Sequence, residues 1–266
     1  MKVERSEGKY KRGGYEMDLG IKDQVVIVTG GGSGIGRQTC LTLAREGAHV
    51  AVVDINMVGA QKVAEEVRAL GVRALPLEVD VRKSDQTEAM VQSTLSELGR
   101  IDALDNVAGL AMPGWFQNST KENWDTEISV CLYGVMNCCK SVINPMMEQK
   151  RGKIVNIASD AGKAGEKLMV SYSAAKGGII SFTRSLAKEM GMYRINVNGV
   201  CPGTTKHTGM SALIDEELEK KWVKAYPLRR LGEPQDIANM IVFLSSGAAD
   251  WITGQVISVN GGYFMG

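Results

Sequence analysis

The chain has 266 residues, 44% of them hydrophobic, enough to bury a full core, and an α/β chain of this length is expected to form one domain. Its 31 basic and 30 acidic residues leave a net charge of +1 with no long like-charge block. That excludes a nucleic-acid stripe and a polybasic membrane patch, and leaves small molecules as the expected partners. Five cysteines, an odd number without a C-x-x-C pair, exclude a disulfide framework and suit a reducing cytoplasm. With only His49 and His207, no His-rich metal centre is expected.

In chain order, residues 1–18 mix both charge signs with glycine and contain no apolar stretch, which reads as a flexible arm and neither a signal nor a transit peptide. Residues 19–266 read as the folded domain. Strands are expected at Gln24–Thr29, His49–Asp54, Arg73–Val79, Ile101–Val107, Lys153–Ala158, Ile195–Val200 and Gln255–Val259. Most are near-continuous runs of Val, Ile, Leu and Ala, as strands covered on both faces must be. Amphipathic segments at Ile35–Glu46, Val58–Leu70 and Ser84–Leu98 separate the early strands, and Gly47, Gly71 and Gly99 close them in the C-cap manner. Strand alternating with helix implies a parallel sheet with helices on both faces. No run approaches the roughly 18 apolar residues of a membrane span. Residues 203–231 break the rhythm with a polar and then charged, amphipathic insertion, and an insertion of this size after a strand is expected to be functional.

The turn after the first strand is Thr29-Gly30-Gly31-Gly32-Ser33-Gly34-Ile35-Gly36. Glycines at 30, 34 and 36 let backbone N–H groups and a helix N-terminus approach a pyrophosphate, although the spacing is not G-x-G-x-x-G. Asp54, ending the second strand, can accept both hydroxyls of a ribose and would repel a 2′-phosphate, so NAD is expected over NADP. The alternative is that Asp54 caps the helix that follows. Asp80 is placed either to bond an adenine amino group or to cap the next helix.

Tyr172 and Lys176 stand one helical turn apart, with Ser159 upstream. A phenol must lose about three pKa units to act as a base near neutral pH, which needs ~4 kcal/mol of differential stabilisation. A lysine at i+4 projects from the same face and can provide it, while the serine hydroxyl holds a substrate oxygen. This is the chemistry of hydride exchange between a nicotinamide and an alcohol or ketone.

From about Leu19 to Gly262 the chain resembles the classical short-chain dehydrogenase/reductase (SDR) family, through Thr29-Gly30-x-x-x-Gly34-x-Gly36, Asp80-Val81, Asn106-Val107-Ala108-Gly109, Ser159, Tyr172-x-x-x-Lys176, Cys201-Pro202-Gly203, Thr253-Gly254 and Asn260-Gly261-Gly262. The resemblance implies a single Rossmann-type doubly wound parallel sheet of about seven strands. It also implies a homotetramer built on the two central helices, with Tyr172 as general acid/base, Ser159 orienting the substrate, Lys176 binding the nicotinamide ribose and lowering the tyrosine pKa, and residues 203–231 forming the substrate lid. The expected cofactor residues are Gly30, Ser33, Gly34, Ile35, Gly36, Asp54, Asp80, Val81, Asn106, Ala108, Gly109, Tyr172, Lys176, Pro202, Gly203, Thr204 and Thr205, with no metal.

The chain departs from the family at three places. Cys131 occupies the usual position of a catalytic asparagine, and a thiol lacks an amide's donor and acceptor geometry. In the family the backbone carbonyl there holds a water linked to the lysine, so the relay either survives the change or slows; otherwise Cys131 is a small buried residue. Asp105 stands where an apolar residue is usual, as a helper of the cofactor site or a hydrogen-bonded structural carboxylate. The threonine expected after Pro202-Gly203 is displaced, leaving Thr204, Thr205 and Thr208 as candidates for the carboxamide, with His207 facing either the substrate or solvent.

Met112, Trp115, Phe116, Met169, Met210, Trp222 and Tyr226 are expected to flank the cleft and suggest an apolar or aromatic substrate. Lys163, Lys167, Arg229 and Arg230 are either contacts for an anionic tail or solvated charge. Three functions follow: an NAD-dependent secondary-alcohol dehydrogenase, a 3-oxoacyl-thioester reductase, or a cofactor-binding, weakly active subunit of a hetero-oligomer.

Overall fold

A computed structural model of the protein describes residues 18–209 and 215–266. The expected arm therefore lies almost wholly outside the described residues, as does Met210. Seven parallel strands form one sheet: β1 (Val25–Thr29), β2 (His49–Asp54), β3 (Ala74–Glu78), β4 (Ala103–Asn106), β5 (Gly152–Ile157), β6 (Ile195–Pro202) and β7 (Val256–Val259). Their order is β3-β2-β1-β4-β5-β6-β7. Every strand expected from the sequence forms, β2 with both ends as expected and the others with at least one end shifted by one or two residues, where pairing rather than apolar content decides where a strand stops.

Helices α1 (Gly34–Arg45), α2 (Met57–Arg68), α3 (Ser84–Leu98), α4 (Lys121–Ile128), α5 (Gly134–Gln149), α6 (Asp160–Ala164), α7 (Val170–Met190), α8 (Glu216–Ala225) and α9 (Pro234–Ser245) complete the described chain. Val26, Val28, Val50 and Val52 pack against Cys40 and Leu43 of α1 and Val63 of α2. From the opposite face, Ile27 and Leu104 join Met90 of α3, Val142 of α5 and Ile179 of α7. Val155 and Val200 pack on Ile237 and Ile241 of α9. Each large side chain so enclosed contributes about 1.5–3 kcal/mol, which is why the strands are apolar on both faces.

The chain runs outward from β1 to β3, then crosses back to pair β4 with the other side of β1, matching Thr29 with Asn106. Helices diverge at such a reversal, opening a crevice at the carboxyl ends of β1 and β4. The insertion contributes α8, whose N-cap Asp215 accepts the Leu218 N–H at 2.8 Å.

Asp105 is a buried carboxyl group within the sheet. Its side chain points toward α9, where Oδ1 accepts from the Ser245 hydroxyl at 2.6 Å, while the buried Oδ2 has no protein hydrogen-bond partner. Burial raises its pKa to about 7, against the lowering effect of the Ser245 bond. Of the two sequence readings, this geometry fits the structural carboxylate, though one of its oxygens is left unsatisfied.

Candidate active site

The glycine turn fits a dinucleotide phosphate. A Cβ on Gly36 would stand 2.0 Å from the Gly30 carbonyl oxygen, and one on Gly30 would stand 2.9 Å from Ala108 backbone atoms. Only glycine allows these two segments to meet so closely. The Thr29 hydroxyl accepts from Val107 N–H at 3.1 Å and Ala108 N–H at 3.2 Å, locking the turn to the segment after β4. At the start of α1 the N-cap Ser33 makes no side-chain capping bond, so the first-turn N–H groups, including those of Ile35 and Gly36, remain available to an anion. The lid comes close here: a Cβ on Gly34 would lie 3.4 Å from the His207 carbonyl oxygen.

Asp54 ends β2 beside this turn. Its Oδ2 accepts from Gly32 N–H and its Oδ1 from Asn56 N–H, both at 2.9 Å. The cap of α2 is Asn56, which accepts from Gly59 N–H, so Asp54 does not fill the capping role. Asp80 instead faces Arg82, whose Nη2 lies 2.7 Å from Oδ2, and that hydrogen bond holds the carboxyl below its ordinary pKa. Lys83, not Asp80, occupies the N-cap of α3. Val81 packs beneath the first residue of α5, where a Gly134 Cβ would stand 2.6 Å away.

The Asn106 side chain lies inside the sheet. Its Nδ2 donates to Asn156 Oδ1 at 2.9 Å, and Asn156 passes the chain on to Thr183 of α7 at 3.0 Å. Asn106 Oδ1 is buried without a protein partner. This side chain joins β4, β5 and α7, leaving the half-buried Ala108 and the exposed Gly109 beside the crevice.

Tyr172, Ser159 and Lys176 converge beyond the ends of β4 and β5. Ser159 caps α6, accepting from Ala161 N–H at 3.2 Å, and its hydroxyl lies on the Tyr172 side, where it favours the ionised phenol. Lys176 Nζ donates to the Ile157 carbonyl at 2.6 Å and lies 5.6 Å from the centre of the Tyr172 ring. A Cβ on Gly109 would be 3.5 Å from this ammonium and 3.8 Å from Cys131 Sγ, so the segment after β4 closes the same pocket. Burial pushes the Tyr172 hydroxyl well above its ordinary value, with Cys131 adding to the rise and the Ser159 hydroxyl opposing it. Burial lowers the pKa of Lys176. Desolvation therefore disfavours the charged form of both partners.

Cys131 sits in a π-helical turn, Ser129–Tyr133, in which Gly134 N–H reaches back to Ser129 O. Such turns interrupt the regular carbonyl ladder and recur at functional sites. The thiol donates to Leu110 O at 3.2 Å and is fully buried. Sequence reasoning missed Glu127, a buried carboxylate one turn earlier that bonds Met112 N–H at 2.6 Å and the Ser171 hydroxyl. The only available signal was an acidic residue at an inward position of a helix whose other residues are exposed or half-buried.

On the lid side, Thr205 is buried with its hydroxyl on Gly203 O at 3.0 Å, and Thr204 N–H donates to Tyr226 OH at 2.7 Å. Tyr226 is buried against Tyr263 with ring centres 5.0 Å apart, so it supports the Pro202-Gly203 turn from below. The Thr208 hydroxyl donates to Thr205 O. The His207 side chain is exposed, 3.6 Å from Glu233. Met112, Trp115 and Phe116 are exposed; Phe116 stacks on Trp124 at 5.2 Å and Lys167 lies 4.9 Å over Trp115. Lys163 is tied to Val256 O and Ser258, and Arg230 to Asp236. Among the described residues no group of three or more His, Cys, Asp or Glu side chains is placed to hold a metal.

A doubly wound sheet, a phosphate-fitting turn at its switch point and a Ser-Tyr-Lys group beside it define a dinucleotide-dependent oxidoreductase. A family model described as enoyl-(acyl carrier protein) reductase matches residues 30–264. The chain is 38% identical over 243 residues to a 3-oxoacyl-[acyl-carrier-protein] reductase, FabG, of Staphylococcus epidermidis, covering 90% of this chain and 98% of that one. It is 39% identical over 246 residues to the (2S)-[(R)-hydroxy(phenyl)methyl]succinyl-CoA dehydrogenase subunit BbsD of Thauera aromatica, covering 92% and 98%. A Sinorhizobium meliloti crystal structure assigned as a short-chain alcohol dehydrogenase superposes with a TM-score of 0.88 at 32% identity, covering 93% of this chain and 98% of the other. The protein belongs to the short-chain dehydrogenase/reductase family and is an oxidoreductase of that type.

Proposed function

We propose that this protein interconverts a secondary alcohol and a ketone carried on an acyl thioester, with Tyr172 as general acid/base. The observation that carries the reading is the convergence of Ser159, Tyr172 and Lys176 in one pocket beside the glycine turn. The names of the Staphylococcus and Thauera relatives, one an oxoacyl reductase and the other a dehydrogenase of a hydroxyl-bearing succinyl-CoA, both support a thioester over a simple alcohol. This favours the thioester reductase over the generic alcohol dehydrogenase among the sequence expectations.

A bound nicotinamide would supply or accept the hydride. The chain's part is to hold the substrate oxygen between the Ser159 and Tyr172 hydroxyls and to move one proton at Tyr172 Oη. Because burial raises the Tyr172 pKa, the phenol holds its proton at neutral pH, the form needed to protonate the oxygen of a ketone being reduced. Oxidation needs the phenolate and should therefore strengthen with rising pH.

NAD is the proposed cofactor. Asp54 at the end of β2 would repel a 2′-phosphate, Ile55 and Asn56 follow it without adding a cation, and Arg37 is paired with Glu66 at 2.6 Å. We further place the protein in the cytoplasm as a homotetramer. The central helical region leaves Tyr133, Met136 and Val170 exposed for subunit contact, and light scattering would measure the assembly. The reading of a weakly active subunit draws on the Thauera relative's name as a subunit, and the intact Ser159-Tyr172-Lys176 group weighs against it.

The test is oxidation of NADH and of NADPH by purified protein with aliphatic and aryl 3-oxoacyl thioesters, simple ketones serving as the comparison. Turnover on a thioester that vanishes in Tyr172→Phe, with dinucleotide binding retained, supports the proposal. Turnover that persists in Tyr172→Phe removes the mechanism.

A further inference from the structure

Glu127 is the one buried residue of α4, and it has no salt-bridge partner among the described residues. A carboxylate in such a place is costly unless hydrogen bonds satisfy it, and an apolar side chain would bury there at no such cost. Its two oxygens reach two different parts of the active site. Oε1 accepts the Met112 N–H at 2.6 Å, and Oε2 accepts the hydroxyl of Ser171, the residue next to Tyr172. One turn later on the same side, the Cys131 thiol donates to Leu110 O at 3.2 Å. The segment after β4 is also tied at its far end, where Gly114 N–H donates to Leu168 O at 2.8 Å.

We propose that Glu127 is a positioning residue: it clamps the substrate-side segment 110–114 onto the start of the helix that carries Tyr172, and so sets where the substrate wall stands relative to the proton carrier. The inference rests on the reading of Tyr172 as acid/base. The carboxylate also acts on the phenol through space. The groups facing Tyr172 are Cys131 from the π turn, Ser159 from the head of α6, Cys201 from β6, Lys176 from its own helix and Glu127 from α4. Among them Glu127 is one that pushes the phenol toward its protonated form.

Three readouts test this on the full-length protein. In Glu127→Ala, amide hydrogen exchange across residues 109–115 should accelerate, and KM for the thioester should rise about fivefold or more with a smaller change in kcat, the signature of lost substrate placement. In Glu127→Gln, which keeps an acceptor for Met112 but removes the charge, the rising limb of the alcohol-oxidation pH profile should move to lower pH by a few tenths of a unit. Ser171→Ala should reproduce part of the KM effect, and it serves with Glu127→Gln if Glu127→Ala does not fold. Unchanged exchange at 109–115 in Glu127→Ala, or an unmoved pH limb in Glu127→Gln, overturns the proposal. Because exchange needs no substrate, a wild-type protein without turnover but with accelerated exchange in Glu127→Ala would refute the catalytic reading while supporting the clamp.

Discussion

Lys176 Nζ donates a 2.6 Å hydrogen bond to the carbonyl of Ile157, the last residue of β5. The bond fixes a fully buried ammonium against the face of the Tyr172 ring instead of leaving it to a solvent-facing rotamer. The position of the cation is thus set by the sheet, and the i+4 spacing only delivers it to the correct side of α7.

Lys176→Met tests that arrangement. Methionine fills similar space without the charge, so the protein should fold and lose turnover by about 100-fold or more, as expected when a proton-transfer partner is removed. Steady-state kinetics beside a melting curve would separate the two effects. Retained turnover would show that the ammonium has no part in the chemistry.

Cys131→Asn replaces the thiol by an amide that can still donate to Leu110 O. Activity should stay level or rise by a few-fold, because the amide restores the donor and acceptor pair that a thiol lacks at this position. A large loss of kcat would assign the thiol a specific role. Since all five cysteines are buried, native protein should react slowly with a charged thiol reagent, and a stoichiometric reaction within seconds would contradict the packing.

Asp54→Ala should shift the ratio of kcat/KM for NAD over NADP toward NADP by about tenfold or more, equivalent to ~1.4 kcal/mol. The carboxylate also accepts from Gly32 and Asn56, so binding of both cofactors should weaken while the ratio moves. An unchanged ratio would refute the ribose argument.

Asp105 makes stability depend on pH. Its folded pKa, about 7, lies above the ordinary 3.8, so between those values the folded chain keeps a proton that the unfolded chain has released. Stability from this group is therefore complete below about pH 4, falls as pH rises, and levels off above about pH 7. Asp105→Asn should raise Tm at alkaline pH more than at about pH 4, by roughly 2–4 °C for each kcal/mol regained. A Tm gain identical across that range would mean that Asp105 is ionised throughout. The substitution keeps an acceptor for Ser245, so β4 and α9 stay joined.

The sequence by itself determined the sheet, the glycine turn and the tyrosine-lysine pair. Strands covered on both faces read as continuous apolar runs, the glycine at 36 is demanded by a backbone approach to Gly30 within one turn, and four residues bring Tyr172 and Lys176 to one helix face. Only tertiary structure decided which long-range neighbour each polar group meets. It turned Asn106 toward Asn156, made Tyr226 a support for Thr204, and joined Ser245 to Asp105 across 140 residues of chain. Glu127 was hidden for the same reason: on the helix it is an ordinary acidic residue, and its meaning arises only where α4, the segment after β4 and α7 close on one another. Periodicity records which side of an element is buried, but the partner of a buried hydrogen-bonding group is chosen by the packing of elements distant in sequence.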